Sequence, residues 1–210
     1  MKGVIKMPWK KLENNKLKKL FVSNDLLDKL RDKQQKLEKE LKTIGMKILD
    51  HTEEEWFDSY YSKYRIDKLE LDKENYHMRS KDPYDIFIGE SAMDRGCPSS
   101  HMYHVYVPIK SGNIDFFNSK PNPHDYNPPN GFVSGNKLVL IIIIDIDNIN
   151  NLLNCFQAEL EKAEKYLKNV NWMIVKYNKE IETLIKELIA TEKEKYVKIN
   201  SDIGDIPIRF

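Results

Sequence analysis

The stretch LNCFQAELEKAEKYLKNVNWMIVKYNKEIETLIKELIATEKEK, residues 153–195, sets the architecture of the chain, because apolar side chains recur in it every three or four residues. Neither Gly nor Pro interrupts it. This heptad spacing predicts one straight helix of about 45 residues, roughly 65–70 Å long. We interpret its apolar stripe as an interaction seam, made of Leu153, Phe156, Leu160, Ala163, Leu167, Val170, Ile174, Tyr177, Ile181, Leu184 and Leu188.

A second heptad pattern in the N-terminal part offers this helix a partner within the chain. It places Leu27, Gln34, Leu41 and Ile48 at one heptad position and Leu30, Leu37 and Ile44 at the other. Thr52 and Glu55 match a capping box, which predicts a further helix start. Extra apolar residues beside the first seam, Tyr166, Met173 and Ile185, favour three or more helices in contact, within the chain or through self-association.

Between the helical regions the pattern changes to that of strands. Residues 84–88, 102–107 and the β-branched run 138–144 each have strand character. Ser111-Gly112-Asn113 predicts a turn, with Ile114 to Phe117 returning as the hairpin partner. Residues 118–136, rich in Pro and Gly, read as a long irregular loop, which is often functional.

These patterns together predict an α+β fold, in which a small mixed or antiparallel sheet packs with long heptad-patterned helices. We divide the chain into an N-terminal helical region at 1–65, a sheet region at 66–147 and a long C-terminal helix at 148–200. We expect the three to form one integrated domain, since 210 residues are enough to bury a core.

The charge and the apolar run lengths limit the partners. Lys and Arg number 34 against 33 Asp and Glu, a formal net charge of +1, so nucleic acid is not an expected partner, although local patches stay open. The longest apolar run, 138–144, is far shorter than the roughly 20 residues of a membrane span. Neither a secretory signal nor a disulfide between Cys97 and Cys155 is expected. We predict a cytoplasmic protein without a cofactor.

An Asp-x-Asp pattern follows the apolar run, at Asp145 and Asp147. It resembles the first motif of haloacid-dehalogenase-type phosphatases, in which the first Asp is the nucleophile, the second is a general acid and Mg²⁺ lies beside both. That fold needs further parallel strands, and the rest of this chain reads as one helix. We therefore favour Asp147 or Asn148 as the N-cap of the long helix, and keep Mg-dependent phosphoryl transfer as the alternative.

A second weak candidate site combines Cys97, His101 and His104, which have the residue types of a zinc site. On a strand, however, positions 101 and 104 face opposite sides of the sheet, and no second Cys/His pair follows at the usual spacing. Hydrogen-bonded histidines are the favoured interpretation. A thiol nucleophile formed by Cys97 and His101 is the weaker alternative.

The chain also resembles a group of uncharacterised prokaryotic proteins over about residues 85–210. The resemblance is carried by Val105–Ile109, Gly112-Asn113, Phe116-Phe117, the Pro-rich stretch, the buried strand, Asn171 with Tyr177-Asn178, and Ile206–Arg209. Such helical-plus-sheet modules accompany effector domains in anti-phage systems. The resemblance implies a sensor or assembly module without its own active site.

We therefore expect a non-enzymatic interaction, sensor or scaffold module, part of a prokaryotic defence assembly, whose seam contacts a partner protein or a second copy of the chain.

Overall fold

The computed structural model describes residues 18–23, 25–81, 100–121 and 127–204. It confirms the α+β class, with a small antiparallel sheet packed against a long C-terminal helix. The predicted strand at 84–88 and Cys97 lie outside the described residues. The helices are α1 (Leu26–Lys42), α2 (Glu53–Tyr64) and α3 (Leu152–Gly204). The strands are β1 (Glu70–Leu71), β2 (His77–Lys81), β3 (Ser100–Ser111), β4 (Gly131–Ser134) and β5 (Lys137–Asp145).

All described strand pairs are antiparallel. β3 lies beside β5, and β5 lies beside β4. The short strands β1 and β2 both pair with the edge of β3 that faces away from β5. β1 pairs near Ile109, and β2 pairs at 102–106. The apolar run of β5 therefore occupies an interior position between β3 and β4, as its β-branched residues predict.

The prediction of an irregular loop over residues 118–136 is wrong at its C-terminal end, because residues 131–134 form β4. A two-residue turn at Gly135 and Asn136 joins β4 to β5. Gly135 has φ +56°, which suits the first central position of a type II′ hairpin turn. A Gly-Asn pair before an apolar run is itself a hairpin signal, and it outweighs the prolines that precede it.

The predicted hairpin partner of β3 at Ile114 to Phe117 is also wrong. Residues Ile114–Asn118 form a 3₁₀ helix, whose Asn113 cap accepts a hydrogen bond from the Asp115 amide at 2.9 Å. Phe116 and Phe117 are both buried. Two consecutive aromatic residues cannot point to the same side of a strand, whereas a tight helical turn brings both into the core.

Capping residues predict two helix starts, and the structure agrees with one of them. The capping box at Thr52 is confirmed: its side chain accepts from the Glu55 amide at 3.1 Å, and Glu55 accepts from the Thr52 amide at 2.8 Å. The expected cap at Asp147 or Asn148 is wrong. A 3₁₀ segment, Ile146–Asn151, follows β5 directly, so the α-helix begins only at Leu152.

One buried apolar cluster joins the helices to the sheet. α3 contributes most of its predicted seam, α1 contributes Leu26, Leu30, Leu37 and Leu41, and the sheet contributes Val105, Val107, Leu138, Leu140 and Ile142. In the first turn of α1, Leu26 is buried. Leu27, which the heptad pattern predicts inside, is 49% exposed. The N-terminal and C-terminal helical patterns thus pack on each other in one chain.

The buried stripe of α3 leaves the heptad phase after Ile181. Ile185 and Ile189 are buried, whereas Leu184 and Leu188, which the heptad predicts inside, are only half-buried. A helix with 3.6 residues per turn drifts about 20° per heptad relative to a strict seven-residue repeat. Over several heptads this drift turns Leu184 and Leu188 partly away from the core and brings the following residues, Ile185 and Ile189, to the buried positions.

Two asparagines of α3 hold the extended connector between α2 and β1. Asn178 accepts from the Ile66 amide at 2.9 Å and donates to the Ile66 carbonyl at 2.8 Å. Asn171 makes the same pair of bonds with Leu69, at 2.8 and 2.9 Å. Tyr177, whose pKa burial raises to about 12, donates its hydroxyl to the Tyr64 carbonyl at 3.3 Å. We name these three residues the connector clamp.

The described helices include none that combines the length and the apolar content needed to cross a lipid bilayer.

Candidate interaction site

The predicted seam residues do not lie on an open surface. Phe156, Leu160, Ala163, Leu167, Val170, Ile174, Tyr177 and Ile181 are buried in the core of their own chain, Leu184 and Leu188 are half-buried, and only Leu153 is well exposed, at 63%. The helices α1 and α2 and the sheet already cover this stripe. A partner that binds the folded chain would therefore contact other residues.

The opposite face of α3 carries an exposed aromatic residue. Trp172 is 66% exposed, the highest value among the large apolar side chains that the structure describes, and Val175, one turn further on, is 46% exposed. Residues three, four or seven apart share a helix face, so four exposed lysines surround these two side chains. We name this surface the lysine ridge: Lys165, Lys168, Trp172, Val175, Lys176 and Lys179.

The lysine ridge has an excess of positive charge. Lys176 lies 3.8 Å from the Glu180 carboxylate, and its ammonium lies 5.9 Å from the centre of the Trp172 ring. Within the described residues, no carboxylate lies within 4.0 Å of the other three ridge lysines. The four cations are thus largely available to an acidic partner.

The ridge has a rigid base. Val170 and Ile174, on the inward side of the same helical turns, are fully buried. Asn171 and Asn178 of the connector clamp fix the flank of the helix through four hydrogen bonds. A side chain on such a helix is presented in a defined place before any partner arrives, which lowers the entropy lost on binding.

The sheet does not give Asp145 and Asp147 the setting of a phosphatase motif. Asp145 ends β5, which has antiparallel neighbours on both sides, and it lies in register with Ser100. Asp147 lies in the 3₁₀ segment that follows. The phosphatases that this motif resembles place it at the end of a parallel strand, so the local sequence match is not accompanied by the matching topology.

The two histidines of β3 face opposite sides of the sheet, as their spacing predicts. His101 pairs with Ile144 and His104 with Ile141. The His104 ring meets the Phe132 ring edge to face at 5.6 Å, and His101 lies near Tyr103. In the part of the chain that the structure describes, no three His, Cys, Asp or Glu side chains lie close enough together to hold a metal ion.

A partly buried polar cluster near the start of α1 has the residue types of a serine–lysine nucleophile. The Ser119 hydroxyl donates to the Asp25 carboxylate at 2.8 Å and accepts from the Lys29 ammonium at 2.9 Å. A lysine base must be neutral, but Lys29 is paired with Asp25 at 3.0 Å. Ser119 is also fully buried. We therefore assign the cluster to structure, since it ties α1 to the 3₁₀ helix.

The electrostatics of this cluster agree with that role. Burial raises the cost of charging Asp25, but hydrogen bonds from Lys29, Ser119 and Ser23 outweigh it and hold the pKa of the carboxyl below its usual value. Asp25 therefore stays ionised opposite Lys29.

Sequence reasoning missed the lysine ridge, because it followed the apolar seam and passed over the residues between its members. A usable signal was present: a Trp outside the seam, with lysines on the same helix face, is not accounted for by the core.

Comparisons with known proteins add no assignment to this geometry: no family model, no curated protein and no solved structure matches the chain.

Proposed function

We propose that this protein is a non-enzymatic binding module that docks an acidic surface of a partner protein onto the lysine ridge. The single observation that carries this proposal is Trp172, 66% exposed at the centre of four lysines on a helix whose other side is buried. Tryptophan is enriched among the residues that dominate binding energy at protein interfaces.

The charge of the ridge favours an acidic partner over a second copy of the chain. Two copies packed ridge to ridge would bring like charges together, which costs binding energy. An acidic partner instead neutralises the lysines, while the hydrocarbon stems of their side chains and Val175 add apolar contact around Trp172. The partner type proposed is therefore a protein with an acidic, partly apolar docking surface.

The resemblance over residues 85–210 supports a sensor or scaffold role in a prokaryotic defence assembly. In such an assembly, the module would recruit an effector protein through α3 and would carry no chemistry itself.

The test begins with a photoreactive amino acid placed at position 175, beside the intact Trp172, in cells that encode the chain, and at position 153 as a control. Both Val175 and Leu153 are exposed, but Leu153 lies outside the lysine ridge. A protein that cross-links at 175 and not at 153 is then purified, and its Kd for the unlabelled chain is measured by titration calorimetry.

Trp172→Ala should raise this Kd about 30-fold, the effect of a 2 kcal/mol interface residue. Lys168→Glu should weaken binding most strongly at low salt, because its contribution is electrostatic. Leu153→Ala should leave the Kd unchanged. Equal cross-linking at both positions, or an unchanged Kd for Trp172→Ala, would contradict the proposal.

A further inference from the structure

The sheet face turned away from the helices carries a row of ring-bearing residues in register. His77 of β2 pairs with Tyr106 of β3, Tyr106 pairs with Val139 of β5, and Val139 pairs with Phe132 of β4. Cross-strand partners share a face, so these four residues form one line across four strands. None of them belongs to the apolar cluster that contacts the helices.

The rings close this face over the central strand. His77 stacks on Tyr106, with ring centres 4.7 Å apart and planes 3° apart. His104 and Phe132 come from strands on opposite sides of β5, yet their ring centres are only 5.6 Å apart. Neighbouring strands lie about 4.8 Å apart, so β3 and β4, on either side of β5, are separated by about twice that distance. The two rings must therefore lean toward each other above β5. This accounts for the burial of Val139 and Ile141 beneath them.

We name the four half-buried rings the aromatic layer: His77, His104, Tyr106 and Phe132. Cations lie at both ends of it. The Arg79 guanidinium is 5.8 Å from the centre of the Tyr106 ring, and the Lys18 ammonium is 5.4 Å from that of Phe132. Burial, with Lys137 and Arg79 nearby, holds the pKa of His77 below its usual value.

Acidic residues are scarce on this face. Among the strand side chains that the structure describes, the alternate positions that point away from the helices carry the cations Arg79 and Lys137 and no carboxylate. Stabilisation of the sheet explains the ring pairs by themselves. It does not explain why cations collect at both ends of the rings.

We propose that the aromatic layer binds single-stranded nucleic acid, with two or three bases stacked on its rings and the phosphates held by Arg79, Lys18 and Lys137. Every base offers a π-face to an aromatic side chain, and rings from three strands, spread over a sheet four strands wide, have the extent that two or three bases occupy. The near-neutral charge of the whole chain is no obstacle, because phosphate binding depends on the local cations beside the rings.

Fluorescence anisotropy with labelled single-stranded DNA and RNA of about twelve nucleotides tests this binding, at about 50 and about 200 mM salt. Binding should weaken as salt rises. Phe132→Leu, which keeps the apolar cover of β5, should raise the Kd about tenfold through lost stacking. Arg79→Gln changes an exposed side chain, and should lower the slope of log affinity against log salt by about 0.7. The DNA and RNA arms show which sugar is preferred.

The lysine ridge supplies matched controls for both changes. Trp172→Leu and Lys168→Gln alter an aromatic residue and a cation on the other surface, and should leave the oligonucleotide Kd unchanged. A loss of affinity in these controls, with Phe132→Leu and Arg79→Gln unaffected, would overturn the proposal. Equal competition by poly-glutamate would also overturn it, because that polymer has charge without bases. So would the absence of binding at protein concentrations up to about 100 μM.

Discussion

The inward and outward faces of α3 differ in how far they bury similar side chains. Ile174 and Val175 are neighbours, and both are β-branched and apolar, yet Ile174 is fully buried and Val175 is 46% exposed. The inward face packs on α1, α2 and the sheet, whereas the outward face surrounds Trp172 with lysines. Helix phase therefore assigns a residue to the core or to the exposed face, and apolar character alone does not.

The largest effect expected from this contrast comes from placing a charge on each face. Ile174→Glu should destabilise the chain by more than about 4 kcal/mol, because the carboxylate would be buried without a partner. Val175→Glu, the matched control one residue away, should change the free energy of unfolding by no more than about 0.5 kcal/mol. Urea denaturation followed by circular dichroism measures both. Equal midpoints for the two variants would remove the distinction between the faces.

A smaller effect tests where the two faces divide beyond Ile181. Ile185→Ala should cost about 2–5 kcal/mol, because it leaves a cavity at a fully buried position. Leu184→Ala should cost clearly less, since Leu184 is half-buried. Thermal and urea unfolding of the two variants compares them directly. If Leu184→Ala is the more damaging, α3 keeps the heptad phase and the drift described above is wrong.

The connector clamp lies between the two faces and should have an intermediate effect. Asn171→Ala and Asn178→Ala each leave one backbone amide and one carbonyl of the connector without their partner, at a cost of about 1–3 kcal/mol. Asn169→Ala is the control, on the same helix and with the same substitution, and should change little. Native-state hydrogen exchange of the Ile66 and Leu69 amides should quicken in the clamp variants alone.

The smallest effect concerns pH and the polar cluster that fixes α1. The folded-state pKa of Asp25 lies below its unfolded value of 3.8, so the ionised carboxyl stabilises the fold above that pH. This contribution is lost as the pH falls through the folded pKa. The melting temperatures of the wild type and Asp25→Asn should therefore differ at neutral pH and converge in acid. Ser119→Ala removes one of the hydrogen bonds that lower the pKa of Asp25, so it should reduce the change of stability with pH. A difference in melting temperature between the wild type and Asp25→Asn that persists in acid would contradict this prediction.

Much of the fold follows from local sequence patterns. The heptad of α3, the capping box at Thr52 and the β-branched run of β5 each describe interactions within a few residues, and each predicts its element. The errors have two different causes. Ile114 to Phe117 has strand propensity, but whether it pairs depends on where β5 lies, which local patterns do not specify. The turn at Gly135 was readable, but the preceding prolines masked it.

The candidate surfaces were less predictable than the fold. Trp172 stands out only when the buried stripe is known, because exposure is defined by what the rest of the chain covers. The aromatic layer depends on the register of four strands, and a shift of one residue in β4 would move Phe132 to the other face. Such long-range register is not encoded in the spacing of any single segment.

The connector clamp matches a length of α3 to a length of the extended connector. Seven steps of α-helix, from Asn171 to Asn178, rise about 10.5 Å, and three steps of extended chain, from Ile66 to Leu69, span nearly the same distance. One helix therefore serves as a ruler for the segment that joins the helical part to the sheet. Adding or deleting a single residue between the two anchor points of either segment would put one pair of hydrogen bonds out of register with the other. Relatives of this chain should then vary freely in other loops but keep both spacings, and an Asn-x₆-Asn pattern matched to a connector of fixed length would identify them.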